Sequence, residues 1–106
     1  MEIAKRLSPA WFDVEHDGET IGFLLAPLTG PQVMNVQQLA AERIGDAFLA
    51  AAEYSVQDWR GITEGGESVK VTSARKAAVF ADAALLAKVA GEVLTRSRLK
   101  ETEAKN

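Results

Sequence analysis

The sequence predicts an α+β fold that is predominantly α-helical, with an N-terminal β-hairpin packed on an Ala-rich helical bundle of two to four helices. Two patterns lead to this prediction. Apolar and polar residues alternate beside an Asp-Gly pair near the N-terminus, and apolar residues recur at helical spacing in two later segments. The length of 106 residues suits one domain with a modest core. We expect this compact domain to span residues 1–96 and residues 97–106 to form a polar, flexible tail.

The predicted hairpin covers about residues 10–28. Its first arm alternates, because Phe12 and Val14 are separated by acidic residues, and this places the apolar side chains on one face of a strand. Asp17-Gly18 is a strong signal for a tight hairpin turn, since the favoured turn needs positive φ at both positions. Pro27 ends the second arm, because it has no amide hydrogen to donate to a ladder.

A long helix is predicted from about residue 31 to residue 54. Thr29 is suited to cap it, and Pro31 fits the first turn, where its missing N–H costs nothing. Gly45 is a weak point, about 1 kcal/mol less favourable than alanine inside a helix, and marks either a break or a close helix contact. The predicted apolar stripe consists of Val33, Val36, Ala40, Ile44, Ala47, Phe48 and Ala51.

Residues 55–72 are predicted to form a loop that carries Trp59, and helices are predicted over about residues 73–96. A Gly-Gly pair at 65–66 indicates a turn, and residues 68–72 alternate enough for a very short strand. Thr72 or Ser73 is suited to cap the helical segment that follows. Asp82 and Gly91 are the positions at which that segment could divide into two helices.

Charge and hydropathy weigh against nucleic acid and membranes as partners. The net charge is −3, and the basic residues are dispersed except for a run at Arg96, Arg98 and Lys100, which Glu101 and Glu103 follow closely. No apolar stretch approaches the roughly 20 residues that span a bilayer. The N-terminus leads into no signal-peptide core, so we expect a cytoplasmic protein.

Catalytic and metal-binding patterns are weak in this sequence. Cysteine is absent, and His16 is the single histidine. The acidic series around it, Asp13, Glu15, Asp17 and Glu19, has two interpretations: a metal or acid–base site, or the solvated face and turn of the hairpin. The solvated face is favoured, because the spacing does not match a calcium loop. We therefore predict no catalytic residue, no metal and no cofactor, and hence no enzyme.

Two tryptophans are candidates for protein contacts. Trp59 is either a core anchor at the end of a helix or a binding hot spot, and the core role is favoured because a small domain needs large buried side chains. Trp11 fits either role equally. Together with Trp59, the candidate binding residues are the apolar side chains near it or off the main helical stripes: Ile62, Leu39, Leu49 and Leu85.

The segment around Trp59 resembles the small tail assembly chaperones of long-tailed bacteriophages and prophages. An Ala-rich helical segment leads into Val56-Gln57-Asp58-Trp59-Arg60-Gly61-Ile62, and a Ser/Thr-capped helix and a charged tail follow. In many members an alternating aromatic and aliphatic stretch precedes the first helix, as residues 11–28 do in this chain. The motif residues carried by the resemblance are Asp58, Trp59 and Gly61, and Asp17-Gly18 marks the hairpin.

The resemblance implies a function without chemistry. Such chaperones bind the tape measure protein, keep it soluble and help to recruit tail tube subunits in the host bacterial cytoplasm. Many are also made in a longer form by translational frameshifting, with which the terminal Lys105-Asn106 is compatible. Self-association is a further expectation, because surplus apolar surface favours it. The alternative is a phage structural protein, such as a head–tail connector or a tail-completion factor.

Overall fold

The computed structural model describes residues 8–105, with side chains described from residue 8 to residue 97, and its fold is α+β, as predicted. The described elements, in chain order, are β1 (Ala10–His16), β2 (Glu19–Leu25), α1 (Gly30–Glu42), α2 (Ile44–Ser55), β3 (Val56–Arg60), β4 (Thr63–Glu64), β5 (Glu67–Ser68), α3 (Ser73–Val79) and α4 (Ala83–Lys105). Strands β1, β2 and β3 form one antiparallel sheet with β2 in the middle, and β4 pairs with β5.

The hairpin forms where the alternation predicts it. Strands β1 and β2 pair over all seven positions, from Ala10 opposite Leu25 to His16 opposite Glu19. Asp17 and Gly18 connect them with φ angles of 50° and 78°, the left-handed conformation that a two-residue hairpin turn needs. Asp17 and Gly18 therefore have the turn role that the sequence predicts.

Strand β3 lies in the segment predicted as a loop, so that prediction was wrong for residues 56–60. The strand pairs with β2, and the register shifts where Leu24 faces Asp58 but Leu25 faces Val56. This bulge leaves Gln57 as the extra residue, so Val56 and Trp59, three positions apart, are both buried. The strand is not recognisable in the sequence, because the bulge interrupts the period-two alternation of buried and exposed residues.

The rest of the predicted loop contains a small second hairpin. Strands β4 and β5 pair through Thr63 opposite Ser68 and Glu64 opposite Glu67. Gly65 and Gly66 supply the turn with φ angles of 58° and 83°, as the Gly-Gly pair predicts.

The predicted helix over residues 31–54 consists of two helices. Its start is confirmed, because the Thr29 hydroxyl accepts from the Gln32 amide and the Gln32 side chain accepts from the Thr29 amide. One extended residue, Arg43, with φ −145° and ψ 97°, separates α1 from α2. The break falls two residues before Gly45 and lets the chain turn, so that α1 and α2 pack on each other.

The C-terminal helical segment also divides, at Asp82 and not at Gly91. Thr72 caps α3 through its hydroxyl, which accepts from the Arg75 amide at 3.1 Å. Asp82 accepts from the amides of Ala84 and Leu85, at 3.0 and 3.1 Å, at the start of α4. Helix α4 then continues to Lys105, across most of the segment predicted as a polar tail; Asn106 and the side chains beyond residue 97 lie outside the described part of the chain.

The core lies between the inner face of the sheet and the helices. Phe23 on the central strand is fully buried, and its ring lies 5.8 Å from that of Phe80, which follows α3. Helix α2 packs against α4 through small side chains such as Ala51, which is also fully buried. The buried apolar residues are Val14, Ile21, Phe23, Leu25, Val36, Ala47, Ala51, Ala52, Val56, Trp59, Phe80, Leu85, Val89, Ala90 and Val93.

Candidate functional site

Trp59 and Ile62 belong to the core. The Trp59 side chain is only 6% exposed, and its indole Nε1 donates to the carbonyl of Val69 at 2.8 Å. Ile62 is half-buried against the same core. The buried indole links β3 to the segment after the second hairpin. Trp59 is therefore a core anchor, as favoured from the sequence, and not an exposed binding residue.

Leu85 was also wrong as a surface contact, because it is 4% exposed in the core. The apolar residues on its own face of α4 follow at four-residue steps, Val89 and Val93. Leu39 on α1 and Leu49 on α2 are half-buried and pack against the core. The fold therefore buries two of the five predicted binding residues, Trp59 and Leu85, and packs the other three, which stay partly exposed, against the same core.

Asp58 and Gly61, the other residues of the motif, have local structural roles. The Asp58 carboxylate accepts from the backbone amide of Trp59 at 2.8 Å. Gly61 has φ 84°, and a Cβ at this position would lie 2.8 Å from the carbonyl oxygen of Thr20. Both residues shape the end of β3, where the chain leaves the sheet.

His16 contacts a residue that the sequence did not connect with it. Its Nε2 lies 2.9 Å from an Asp82 carboxylate oxygen and 3.5 Å from one of Asp17. These three side chains are close enough to share a cation, but the side chain of Asp17 is 88% exposed, and pairing with His16 already accounts for both carboxylates. The cluster links the hairpin turn to the start of α4.

The carboxyl of Asp82 is held in its ionised form. The backbone amide of Leu85 lowers the pKa of Asp82 most, partial burial opposes the shift, and His16 and the amide of Ala84 lower it further. Carboxylates at helix N-termini are stabilised in this way by the amides they accept from and by the helix dipole. This arrangement fixes the start of α4.

An apolar groove is a concave feature among the described residues. It lies between α1, α2 and the C-terminal part of α4 and has a volume of about 300 Å³. Eight of its ten lining residues are apolar, and the polar ones are Gln37 and Ser97. The large lining side chains are those of Leu28, Val33, Val36, Ile44, Phe48 and Leu94.

The groove has an uncharged lining and an exposed apolar rim. Ile44 lines it and is 57% exposed, and Met34, on the same helix as Val33 and Val36, is 70% exposed. Helix α1 has one charged residue, Glu42 at its end. The sequence placed Val33, Val36, Ile44 and Phe48 on one predicted core stripe, and the break at Arg43 is what opens part of that stripe to solvent.

A second surface lies on the side of the sheet away from the core. Strand register places the following residues on this outer face: Trp11, Asp13, Glu15, Thr20, Gly22, Leu24, Asp58 and Arg60. Arg60 reaches across the central strand to Asp13, with 3.1 Å between Nη2 and Oδ1, and its guanidinium carbon lies 4.4 Å from the ring centroid of Trp11. Gly22 lies under this arginine, because a Cβ there would be 2.6 Å from Arg60 Nε.

No protein-family model matches the chain, and the searches of curated proteins and of solved structures give no significant match. Among the described residues, no helix has the length and hydropathy needed to cross a bilayer.

Proposed function

We propose that this protein is a non-enzymatic assembly chaperone whose apolar groove holds a helical segment of a partner protein. By the resemblance around Trp59, the partner is the tape measure protein of a phage tail, kept soluble in the host bacterial cytoplasm while tail tube subunits are recruited. The observation that carries the proposal is the open, uncharged groove of about 300 Å³ between three helices.

The chemistry of the groove favours an amphipathic helix as its occupant. Grooves between helices take the apolar face of a partner helix, whose anchor side chains recur at three- and four-residue steps. Ile44 lines the groove and is largely exposed, and Met34 is a further exposed apolar side chain on the helix that supplies Val33 and Val36. Methionine is well suited to this role, because its flexible side chain adapts to different partner surfaces.

The lack of charge in the described lining limits which side chains a partner can place in the groove. Among the described residues that line the groove, Gln37 and Ser97 are the polar ones. A partner that inserted a lysine or a glutamate here would bury that charge without an opposite charge, at a cost of several kcal/mol. The expected segment therefore presents leucine-, isoleucine- or alanine-type side chains to the groove and keeps its charges on the opposite face.

Co-expression with the tape measure protein of the same phage tests the proposal. We expect the tape measure protein to remain in the soluble fraction and to elute with the chaperone in size-exclusion chromatography. Equal precipitation of the tape measure protein with and without the chaperone, with no complex recovered, would contradict the proposal.

Ile44→Lys and Met34→Lys test the groove directly. Both side chains are already exposed, so the fold should persist, while binding should weaken at least about tenfold because the lysine must be buried without a partner. Ala78→Lys, at an exposed position of α3, is the matched control and should bind as the unmodified protein does. Equal affinities for all four proteins would exclude the groove as the binding site.

Mass spectrometry of purified phage particles separates this role from that of a head–tail connector or tail-completion factor. A chaperone is absent from the finished particle, whereas a structural protein is present in a fixed ratio to the other tail proteins. Detection of the chain at such a ratio would favour the structural role.

A further inference from the structure

We propose that the outer face of the sheet is a second protein-contact surface, and that its occupant is a basic segment of a partner protein with an apolar side chain beside its lysines or arginines. This surface shares no residue with the groove, so the two can be occupied together. The proposal concerns a binding event that the groove does not explain.

The centre of this face is organised before any partner arrives. Asp13 holds the Arg60 guanidinium from one side, the Trp11 ring lies against it, and Gly22 leaves the space that the arginine crosses. Trp11 nevertheless remains 40% exposed. Tryptophan and arginine are the residue types most enriched at binding hot spots, and side chains that are already fixed lose less entropy on binding.

The charges on the face are unequal. Its strand residues carry three carboxylates, on Asp13, Glu15 and Asp58, and one guanidinium, on Arg60, so the described part of this face has an excess of two negative charges. Asp13 is paired with Arg60, and the Glu15 carboxylate accepts from the Thr20 hydroxyl. The Asp58 and Glu15 carboxylates therefore have no cationic partner among the described residues.

A basic segment complements this arrangement. Lysine or arginine side chains of the partner meet the excess carboxylates, and an apolar side chain between them covers Trp11 and the half-buried Leu24. A second copy of this chain is disfavoured as the occupant, because the two faces would carry the same excess of negative charge.

The test uses two short fluorescent peptides, one alternating lysine with leucine and one alternating glutamate with leucine. We expect the lysine peptide to bind in fluorescence anisotropy at low salt, and the glutamate peptide to bind at least about tenfold more weakly. Trp11→Ala should weaken binding of the lysine peptide about tenfold, as expected for a hot-spot residue. The double variant Glu15→Gln/Asp58→Asn, which keeps the hydrogen-bond acceptors, should also weaken this binding and make the affinity less dependent on salt.

Matched controls distinguish peptide binding at this face from non-specific attraction to an acidic protein and from binding in the groove. Tyr54→Ala removes an aromatic side chain of similar exposure, 38%, on α2, and Glu42→Gln/Glu67→Gln removes two other exposed charges. Neither control, nor the groove variant Ile44→Lys, should alter lysine-peptide binding. The proposal is overturned if the two peptides bind equally, or if the controls weaken binding as much as Trp11→Ala and Glu15→Gln/Asp58→Asn do.

Discussion

Gly22 and Gly61 are required by the space around them, although both lie in or beside the sheet rather than in its hairpin turns. At Gly22, a side chain would collide with Arg60 and with the Asp13 carboxylate. At Gly61, the obstacle is the backbone of β2 itself, and the φ angle of 84° adds a conformational requirement. Gly22 thus leaves the space that the Arg60 side chain crosses, and Gly61 lets the chain pass close to the backbone of β2.

Gly61→Ala should lower the free energy of unfolding by about 2 kcal/mol or more, because a left-handed φ costs a non-glycine residue about 1–2 kcal/mol and the Cβ meets the Thr20 carbonyl. Gly91→Ala is the control, since Gly91 lies exposed in α4 with open space around its Cα. That variant should gain about 0.5–1 kcal/mol through helix propensity. Urea unfolding followed by circular dichroism measures both changes. An unchanged free energy of unfolding in Gly61→Ala would contradict the conclusion that Gly61 is required by the space around it.

At the level of elements, the start of α4 is joined to the hairpin. Asp82 accepts from two amides of the first turn of the helix and lies 2.9 Å from His16 at the end of β1. Lys88, one turn later, donates to the Glu15 carbonyl at 2.8 Å. In a two-residue hairpin this carbonyl points to the open edge of β1, so Lys88 also blocks part of that edge against pairing with another strand.

The charge of Asp82 predicts a pH dependence. Because folding lowers the pKa of Asp82 below its ordinary value of 3.8, the ionised carboxylate stabilises the folded protein above that value, and the contribution is lost as pH falls through the lower folded pKa. Asp82→Asn keeps the cap but not the charge. Its melting temperature should lie below that of the unmodified protein above about pH 5, and the gap should shrink toward pH 3.

Asp82→Ala serves as the comparison, because it removes the hydrogen-bond acceptor as well as the charge. Its melting temperature should stay below that of the unmodified protein across the whole pH series. The titratable side chains close to Asp82 are those of His16 and Asp17, so the melting temperatures should be measured across the same pH series in His16→Gln as well. A constant gap for Asp82→Asn down to pH 3 would show that its charge is not the cause.

Across the whole molecule, small side chains set how closely the helices approach. Ala47, Ala51 and Ala52 on α2 are buried, and Ala90 on α4 is buried as well. Helices α2 and α4 are in direct contact, and α2 also packs on α1. Interiors are close-packed, so additional atoms at such positions force neighbouring side chains or whole helices to move.

Ala51→Leu should therefore destabilise the protein by about 1–3 kcal/mol through overpacking. Ala87→Leu is the matched control, because Ala87 is exposed on α4, and its effect should stay within about 0.5 kcal/mol. Chemical unfolding gives both values. Equal stability of the two variants would mean that the space around α2 is looser than the burial of Ala51 indicates.

Local signals in the sequence predicted several elements well. The Asp17-Gly18 turn and the Thr29 cap depend on neighbouring residues only and lie where the sequence placed them, and Thr72 is one of the two caps that the sequence offered for α3. The fold class followed from the same kind of information, because strand and helix periodicities each bury one face. Strand β3 was missed for a local reason as well, since its bulge removes the alternation that marks a strand.

By itself, then, the sequence determined the turns, the caps, the α+β class and the stripes of apolar residues that must find a core. Only the tertiary structure decided which of those residues reach solvent. Trp59 and Leu85 are buried because β3 joins the sheet and α4 packs on α2, whereas Ile44 is exposed because the chain breaks at Arg43. Exposure depends on contacts between residues distant in the chain, which periodicity does not encode, and both proposed surfaces arise from such contacts.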